Sequence, residues 1–177
     1  MSLLIRFKKF NKMLQVKDVD DLGLSKNNNL KRNKEESFTT IAELERWLED
    51  EFYNFNLISI GKYHAQEGDV IEVDNDRYLY CYSERGNKSI IKSFKSEKEL
   101  VSYAYLMFKD NKWSKSHLLA ISFNIDKINH IEQELNNLKV EYVRNDSPNH
   151  RNGNTAYRIF VFGKDIKKTE HLKLFEY

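Results

Sequence analysis

Apolar residues recur at every second position between residues 56 and 83, and this period restricts the fold more than any other feature of the chain. A period of two places successive side chains on opposite faces of a β-strand. It predicts three antiparallel strands over residues 57–60, 70–73 and 78–82, joined by turns at residues 68–69 and 74–76. A fourth strand is expected over residues 89–94.

Helices are indicated by capping residues followed by apolar stripes. Thr40 and Glu43 have the spacing of a capping box and precede a stripe at helical spacing, which predicts a helix over residues 40–52. Ser96 and Glu99 repeat this spacing and predict a helix that ends near residue 110. Asn124 is expected to cap a third helix, with an apolar stripe that reaches residue 138.

The rest of the chain completes an α+β pattern. Strands are expected over residues 117–123, 140–143 and 157–162, a polar loop with the only proline over residues 144–155, and a tail helix over residues 165–175. The element order α-ββββ-α-β-α-ββ predicts helices packed on a mainly antiparallel sheet. We expect one α+β domain over residues 37–177.

Residues 1–36 form an N-terminal appendage of different composition. Four apolar residues among basic ones predict a short amphipathic helix over residues 1–14, and the polar residues 17–36 predict a linker. The helix is either an arm for a membrane surface or nucleic acid, or a helix docked on the domain with its basic face in solvent, which is the favoured interpretation. Its apolar stripe consists of Leu3, Phe7, Phe10 and Leu14.

Composition and motifs argue against several classes of protein. Cys81 is the only cysteine, so an internal disulfide is excluded and a reducing, cytoplasmic location is expected. No apolar run is long enough to span a bilayer. The five histidines are scattered and the six glycines are not clustered, so we expect no metal, nucleotide or other cofactor.

One set of residues has the chemistry of a nuclease site. It consists of His117, Arg144, Asp146 and Arg158. A histidine base beside phosphate-binding cations would fit that reaction, but surface ion pairs explain the same residues more simply. We therefore expect no catalytic activity and no small-molecule substrate. The excess of basic residues after residue 76 leaves a nucleic-acid-binding protein or nuclease as the alternative, although acids are interspersed among them.

Residues 37–76 carry ten acidic and two basic residues, on the predicted first helix and the strands that follow it. A negative surface of this kind steers a basic partner, although a solubilising surface explains the charges equally well. The predicted partner-binding acids are Glu45, Glu49, Asp50, Glu67, Asp69, Glu72, Asp74 and Asp76. Candidate aromatic anchors for the same partner are Tyr53, Tyr63 and Tyr78.

Several short motifs occur in a set order along the chain. Tyr82-Ser83-Glu84-Arg85-Gly86 is followed by Phe94-x-Ser96-Glu97-x-Glu99. Later segments are Trp113-Ser114-Lys115-Ser116-His117-Leu118, Arg144-Asn145-Asp146 and Tyr157-Arg158-Ile159-Phe160-Val161-Phe162-Gly163-Lys164-Asp165. Over about residues 40–166 the chain resembles small bacterial immunity proteins of polymorphic and contact-dependent toxin systems.

The resemblance implies a non-enzymatic, cytoplasmic protein that binds a cognate protein toxin and covers its active site or an essential surface. It carries over no catalytic residue, and the acidic surface would suit a basic nuclease as the toxin. Ser83, Glu84, Arg85 and Gly86 become a family-motif turn. The residue pattern predicts a hairpin connection there, with positive φ at Gly86 or Asn87.

Overall fold

A computed structural model describes residues 37–151 and 153–176 of the chain. The predicted basic helix and polar linker of residues 1–36 lie outside the described residues. The predicted α+β class is confirmed, with four helices and two mainly antiparallel sheets in the described part of the chain. The strands are divided between these two sheets.

The first half of the fold consists of two helices and four strands. Thr40 caps the first helix through the predicted capping box, and Ser96 caps the second. The elements are α1 (Ile41–Asp50), β1 (Ile58–Ser59), β2 (Gly68–Asp74), β3 (Arg77–Glu84), β4 (Asn87–Phe94) and α2 (Glu97–Lys109).

The second half begins with a 3₁₀ turn and contains five strands. Asn124 caps its long helix, as predicted. The elements are the turn Lys112–Lys115, β5 (Ser116–Ser122), α3 (Ile125–Asn137), β6 (Tyr142–Arg144), β7 (Ser147–Arg151), β8 (Asn154–Phe162), α4 (Asp165–Lys168), a second 3₁₀ turn (Glu170–Leu172) and β9 (Leu174–Phe175).

Sheet 1 has the strand order β1-β2-β3-β4. The prediction of three antiparallel strands is wrong for the first, because β1 runs parallel to β2. The predicted turn at residues 68–69 is wrong as well, because Gly68 begins β2. A Cβ atom at this glycine would lie 2.0 Å from the carbonyl oxygen of Leu57, so glycine permits the close approach of the two chains.

Sheet 2 has the strand order β6-β8-β5-β9, and β7 also pairs with β8. The predicted polar loop is partly wrong, since it contains β7 with Pro148 inside it. Proline is tolerated in a strand whose irregular pairing does not require its missing N–H group. The predicted tail helix is also wrong beyond Lys168, because the chain returns as β9 and pairs in parallel with β5.

Each sheet has its own hydrophobic core. Core 1 joins α1 and α2 to one face of sheet 1, and core 2 joins α3 to sheet 2. The central members of core 1 are Leu44, Leu48, Ile71, Tyr80, Leu100 and Phe108. Those of core 2 are Leu119, Ile128, Leu135, Ile159 and Val161.

The segment that follows α1 connects the two halves. The backbone N–H of Asn54 donates to the carbonyl oxygen of Ser114 at 2.8 Å. The side-chain amide of Asn54 donates to the carbonyl oxygen of Ser116 at 2.7 Å. Glu51 forms ion pairs with Lys115 at 3.0 Å and with Lys164 at 2.7 Å. These contacts fix the end of α1 against the start and the end of sheet 2.

Two helices end on a non-glycine residue in the left-handed region. Phe52 after α1 has φ 56°, and Lys139 after α3 has φ 54°. In both helices the last amides donate back to carbonyl oxygens in the final turn, as in a Schellman motif. Glycine is the usual residue at this position because a Cβ atom strains the left-handed conformation.

Replacement of Lys139 by glycine should therefore stabilise the fold. We expect Lys139→Gly to raise the free energy of unfolding by about 1 kcal/mol, because the exposed lysine is replaced by a residue that adopts positive φ without strain. Urea denaturation measures the change. Lys139→Ala is the matched control, since it removes the side chain but keeps the Cβ atom; an equal gain in this variant would contradict the explanation.

Candidate functional site

A groove of about 310 Å³ lies along the edge of β2, beside the start of α1. β1 pairs only with Asp69 and Val70, so in the described part of the chain β2 has no neighbouring strand on that side from Ile71 onward. This open strand edge forms one wall. The lining residues are Ile41, Ser59, Ile60, Gly61, Tyr63, His64, Val70, Ile71, Glu72 and Val73.

The opposite wall is a short loop after β1 that is held closed by its own backbone. Ile60 and Tyr63 exchange two backbone hydrogen bonds of 3.1 and 2.9 Å. The Tyr63 ring stacks on Phe55, with ring centroids 3.6 Å apart. The loop therefore presents a fixed aromatic side chain to the groove, and Val73 on the other wall is 51% exposed.

Two of the predicted acids hold this loop on α1. Glu49 accepts a hydrogen bond from the Tyr63 hydroxyl at 2.6 Å and pairs with the Lys62 ammonium at 2.6 Å. Glu45 lies 3.8 Å from the same ammonium. The hydrogen bond from Lys62 lowers the pKa of Glu49, and the hydrogen bond to Glu49 raises the pKa of Lys62.

The remaining predicted acids do not share one surface, because side chains alternate along β2. Glu72 lines the groove but pairs with Lys88, and Asp74 pairs with Arg77. Asp50 and Asp76 are exposed, at the end of α1 and in the β2–β3 turn, and Glu67 is half-buried just before β2. Asp69 faces the side of the sheet that carries Tyr80.

Asp69 is the acid with the most unusual environment. Tyr80, which is 4% exposed, donates its hydroxyl hydrogen bond to the Asp69 carboxylate. In the described residues no lysine or arginine forms an ion pair with Asp69. Burial raises the pKa of this carboxyl from 3.8 to about 6, and the Tyr80 hydrogen bond opposes the rise. The alternation of side chains along β2 does not show which face of the strand lies under the helices. The sequence therefore did not predict the contact between Asp69 and Tyr80.

The aromatic anchors have different locations. Tyr53 is 2% exposed and its hydroxyl donates to the carbonyl oxygen of Phe108, so its interpretation as a partner contact is wrong. Tyr63 lines the groove, and Tyr78 is half-buried beside core 1. Of the three predicted anchors, Tyr63 is the one that lines the groove.

The turn predicted from Ser83, Glu84, Arg85 and Gly86 lies at the end of sheet 1 away from the groove. Arg85 and Gly86 form a two-residue connection between paired Glu84 and Asn87, with φ 52° and 78°. The predicted hairpin is confirmed, and Gly86 has positive φ as predicted. The other turn residue with positive φ is Arg85 rather than Asn87. Ser83 contacts the carbonyl oxygen of Gln66 at 3.4 Å.

The fold brings Arg144 and Asp146 of the nuclease-like set together but leaves His117 apart from them. His117 donates from Nε2 to the carbonyl oxygen of Phe52 at 2.9 Å, and burial lowers its pKa. Arg144 pairs with Asp146 of the same set and with Glu132, both at 3.0 Å, so its charge is already balanced within the chain. Arg158 donates from Nε to the carbonyl oxygen of Asn145, between β6 and β7, at 2.9 Å. Within the described ranges, no group of three or more potential ligands is placed to hold a metal ion.

Comparisons with known proteins found no matching family model, no matching curated protein and no matching solved structure. Among the described helices, none has the length and apolar character needed to cross a membrane.

Asp69→Asn should stabilise the fold at neutral pH. The pKa of Asp69 is higher in the folded chain than in the unfolded chain, so the acid stabilises the fold below about pH 4 and this stability is lost as the pH rises through about 6. At pH 7.5 we expect Asp69→Asn to raise the free energy of unfolding by about 1–3 kcal/mol. Urea denaturation between pH 4.5 and 8 measures it, with the exposed Asp76→Asn as the control. A variant with the same pH dependence as the wild type would contradict the assignment.

Gly61→Ala should disturb the groove wall more than a comparable substitution elsewhere. Gly61 has φ 53°, and a Cβ atom there would lie 1.6 Å from Oε2 of Glu45. Gly86→Ala is the matched control, because its φ is also positive but nothing lies within 4 Å. We expect each substitution to lower the free energy of unfolding by about 1–2 kcal/mol through backbone strain. Gly61→Ala should lower it further, because its Cβ atom meets the Glu45 carboxylate. Adding Glu45→Ala should remove that further loss; an unchanged difference would contradict the contact.

Proposed function

We propose that this chain is a non-catalytic immunity protein that binds and neutralises a cognate bacterial toxin. The observation that carries the proposal is the groove beside the open edge of β2, whose lining combines apolar side chains with the Glu72 carboxylate, while Glu45 of α1 lies against Gly61 in its wall. An apolar centre with a charged rim is the usual anatomy of a protein interface. The motif order along the chain supports the same class of protein.

The groove would accept an extended basic segment of the toxin. Tyr63 and Val73 offer apolar contact area, and the open edge of β2 offers backbone groups for an added strand. Asp50 and Asp76 are exposed acids with no ion pair in the described residues, so they are the best candidates for long-range steering. A nuclease with a basic surface would be attracted by these exposed acids. The chain would then bind the nuclease in the cytoplasm.

The nucleic-acid alternative has less support. Several basic residues of the second half already form ion pairs within the chain. They are Lys112 with Glu141, Lys115 and Lys164 with Glu51, and Arg144 with Asp146 and Glu132. Each pair reduces the positive charge that is available to a phosphate backbone.

Co-expression with the neighbouring gene tests the proposal. We expect the product of that gene to arrest growth alone, and the chain to relieve the arrest and to form a purified complex with it. Val73→Arg should raise the Kd of that complex about tenfold or more, because it places a charge in the apolar wall. Leu138→Arg is the matched control, with a leucine of 43% exposure at the end of α3.

Two outcomes would contradict the proposal. If the neighbouring product is not toxic, or if growth arrest persists with the folded chain present, the chain is not its immunity protein. If Val73→Arg and Leu138→Arg bind equally well, the groove is not the interface. For the steering role, Asp50→Lys combined with Asp76→Lys should slow association several-fold at low salt, with little effect at high salt.

A further inference from the structure

Sheet 1 has two edges, and within the described part of the chain each lacks a partner strand over some of its length. There, β4 pairs only with β3, and β1 covers β2 only at Asp69 and Val70. An unpaired strand edge is a place where an extended segment of another chain can be added to a sheet. The two edges differ in charge, in regularity and in the side chains beside them.

Charge separates the two edges. Residues 67–76, which include β2, contain five acids and no lysine or arginine, whereas residues 85–95, which include β4, contain four basic residues and no acid. The ion pair between Glu72 and Lys88 offsets one charge of each set. A basic segment is therefore attracted to the β2 edge and repelled by the β4 edge, most strongly at low salt.

β4 also carries features that prevent strand addition. Its register with β3 shifts between Tyr80 and Cys81, which marks a bulge. Lys92 packs over aromatic rings on the helix side of the sheet, and Lys88 lies on the opposite face. A bulge and edge lysines are means by which natural sheets avoid pairing with other chains. β2, by contrast, pairs with β3 over all seven residues without a shift.

The backbone of β2 directs hydrogen-bonding groups of Val73 to the open edge. The N–H of Asp69 donates to the carbonyl oxygen of Leu57 at 3.0 Å, toward β1. Alternate residues of a strand direct their backbone groups to the same side, so the N–H and C=O of Val73 face that side beyond the end of β1. One residue of an antiparallel segment satisfies both groups, because directly opposite residues exchange two hydrogen bonds.

The side chains beside this edge alternate as well. Ile71 belongs to core 1, so Val73 also faces the helix side. Glu72 and Asp74 then point to the outer face of sheet 1, away from α1 and α2. On the helix side, Tyr63 lines the groove. A segment that pairs here needs apolar side chains on one face and basic side chains on the other.

We propose that the β2 edge receives an antiparallel strand in which apolar and basic residues alternate, with an apolar residue directly opposite Val73. The inference rests on the proposed function for the identity of the partner, a basic toxin, and it excludes the β4 edge of the same sheet. The apolar residues contact Val73 and Tyr63, and the basic residues lie on the face that carries Glu72 and Asp74.

A synthetic peptide tests this arrangement without the toxin. The probe is an acetylated and amidated heptapeptide in which lysine and valine alternate, titrated into the intact chain at low salt by calorimetry. In the proposed pairing the valine N–H groups donate to β2 and the lysine N–H groups face away. N-methylation of the valines should raise the Kd about tenfold or more, and N-methylation of the lysines should leave it within about twofold.

Variants of the chain locate the bound peptide. Val73→Pro removes the N–H that faces the groove and should raise the Kd about tenfold or more. Ser93→Pro is the matched control, because Ser93 is exposed on β4 and its N–H also points away from β3. Its Kd should stay within about twofold of the wild type. Near-ultraviolet circular dichroism checks that both variants are folded.

A peptide with glutamate in place of lysine tests the charge argument. It has the same alternation and the opposite charge, so we expect it to bind the wild-type chain about tenfold more weakly than the lysine peptide at low salt. Equal binding of the two peptides would contradict the selection of the β2 edge by charge.

Other results would also overturn the proposal. They are no measurable binding of the lysine peptide, a valine-methylated peptide that binds as well as the lysine-methylated one, and a folded Val73→Pro variant that binds as well as Ser93→Pro. Self-association of the chain in competition with the peptide would identify a second copy as the occupant. The peptide and co-expression tests fail independently, because an immunity protein with its interface elsewhere relieves growth arrest without binding the peptide.

Discussion

The attachment of the end of α1 to both sheets is the constraint on which the rest of the fold depends. Asn54 donates to two carbonyl oxygens at the start of sheet 2, and the Phe52 carbonyl oxygen accepts from His117. Burial lowers the pKa of that histidine, so the neutral ring with one N–H is favoured at this contact. Phe52 keeps a strained left-handed conformation here because several contacts hold it at once.

The groove follows from this attachment. Because α1 is fixed at its end, its outer side presents Glu45 and Glu49 to the loop that contains Lys62. That loop turns the chain back after only two residues of β1, and the short strand leaves the edge of β2 open. A longer β1 would cover the edge and leave no room for a partner strand.

Acidic residues have distinct roles in this protein, although they are similar in sequence. Glu49 holds the groove wall, and Glu72 balances Lys88 on the outer face of sheet 1. Asp69 is half-buried beside Tyr80, and the raised pKa of its carboxyl costs stability near neutral pH. In the proposed complex, only the exposed acids of the group are left for long-range attraction of the toxin. Net charge alone is therefore a poor guide to where a partner would bind.

Local sequence patterns are sufficient to predict the helices and most of the strands. The caps at Thr40, Ser96 and Asn124 depend on neighbouring backbone groups, and the period of two in β2 and β3 is visible without a fold. The division into two sheets, the parallel pairing of β1 and β9, and the covered face of β2 depend on distant segments. A side chain's partner is set by a few ångströms of separation, and the folded chain alone brings Lys62 to Glu49 and Tyr80 to Asp69.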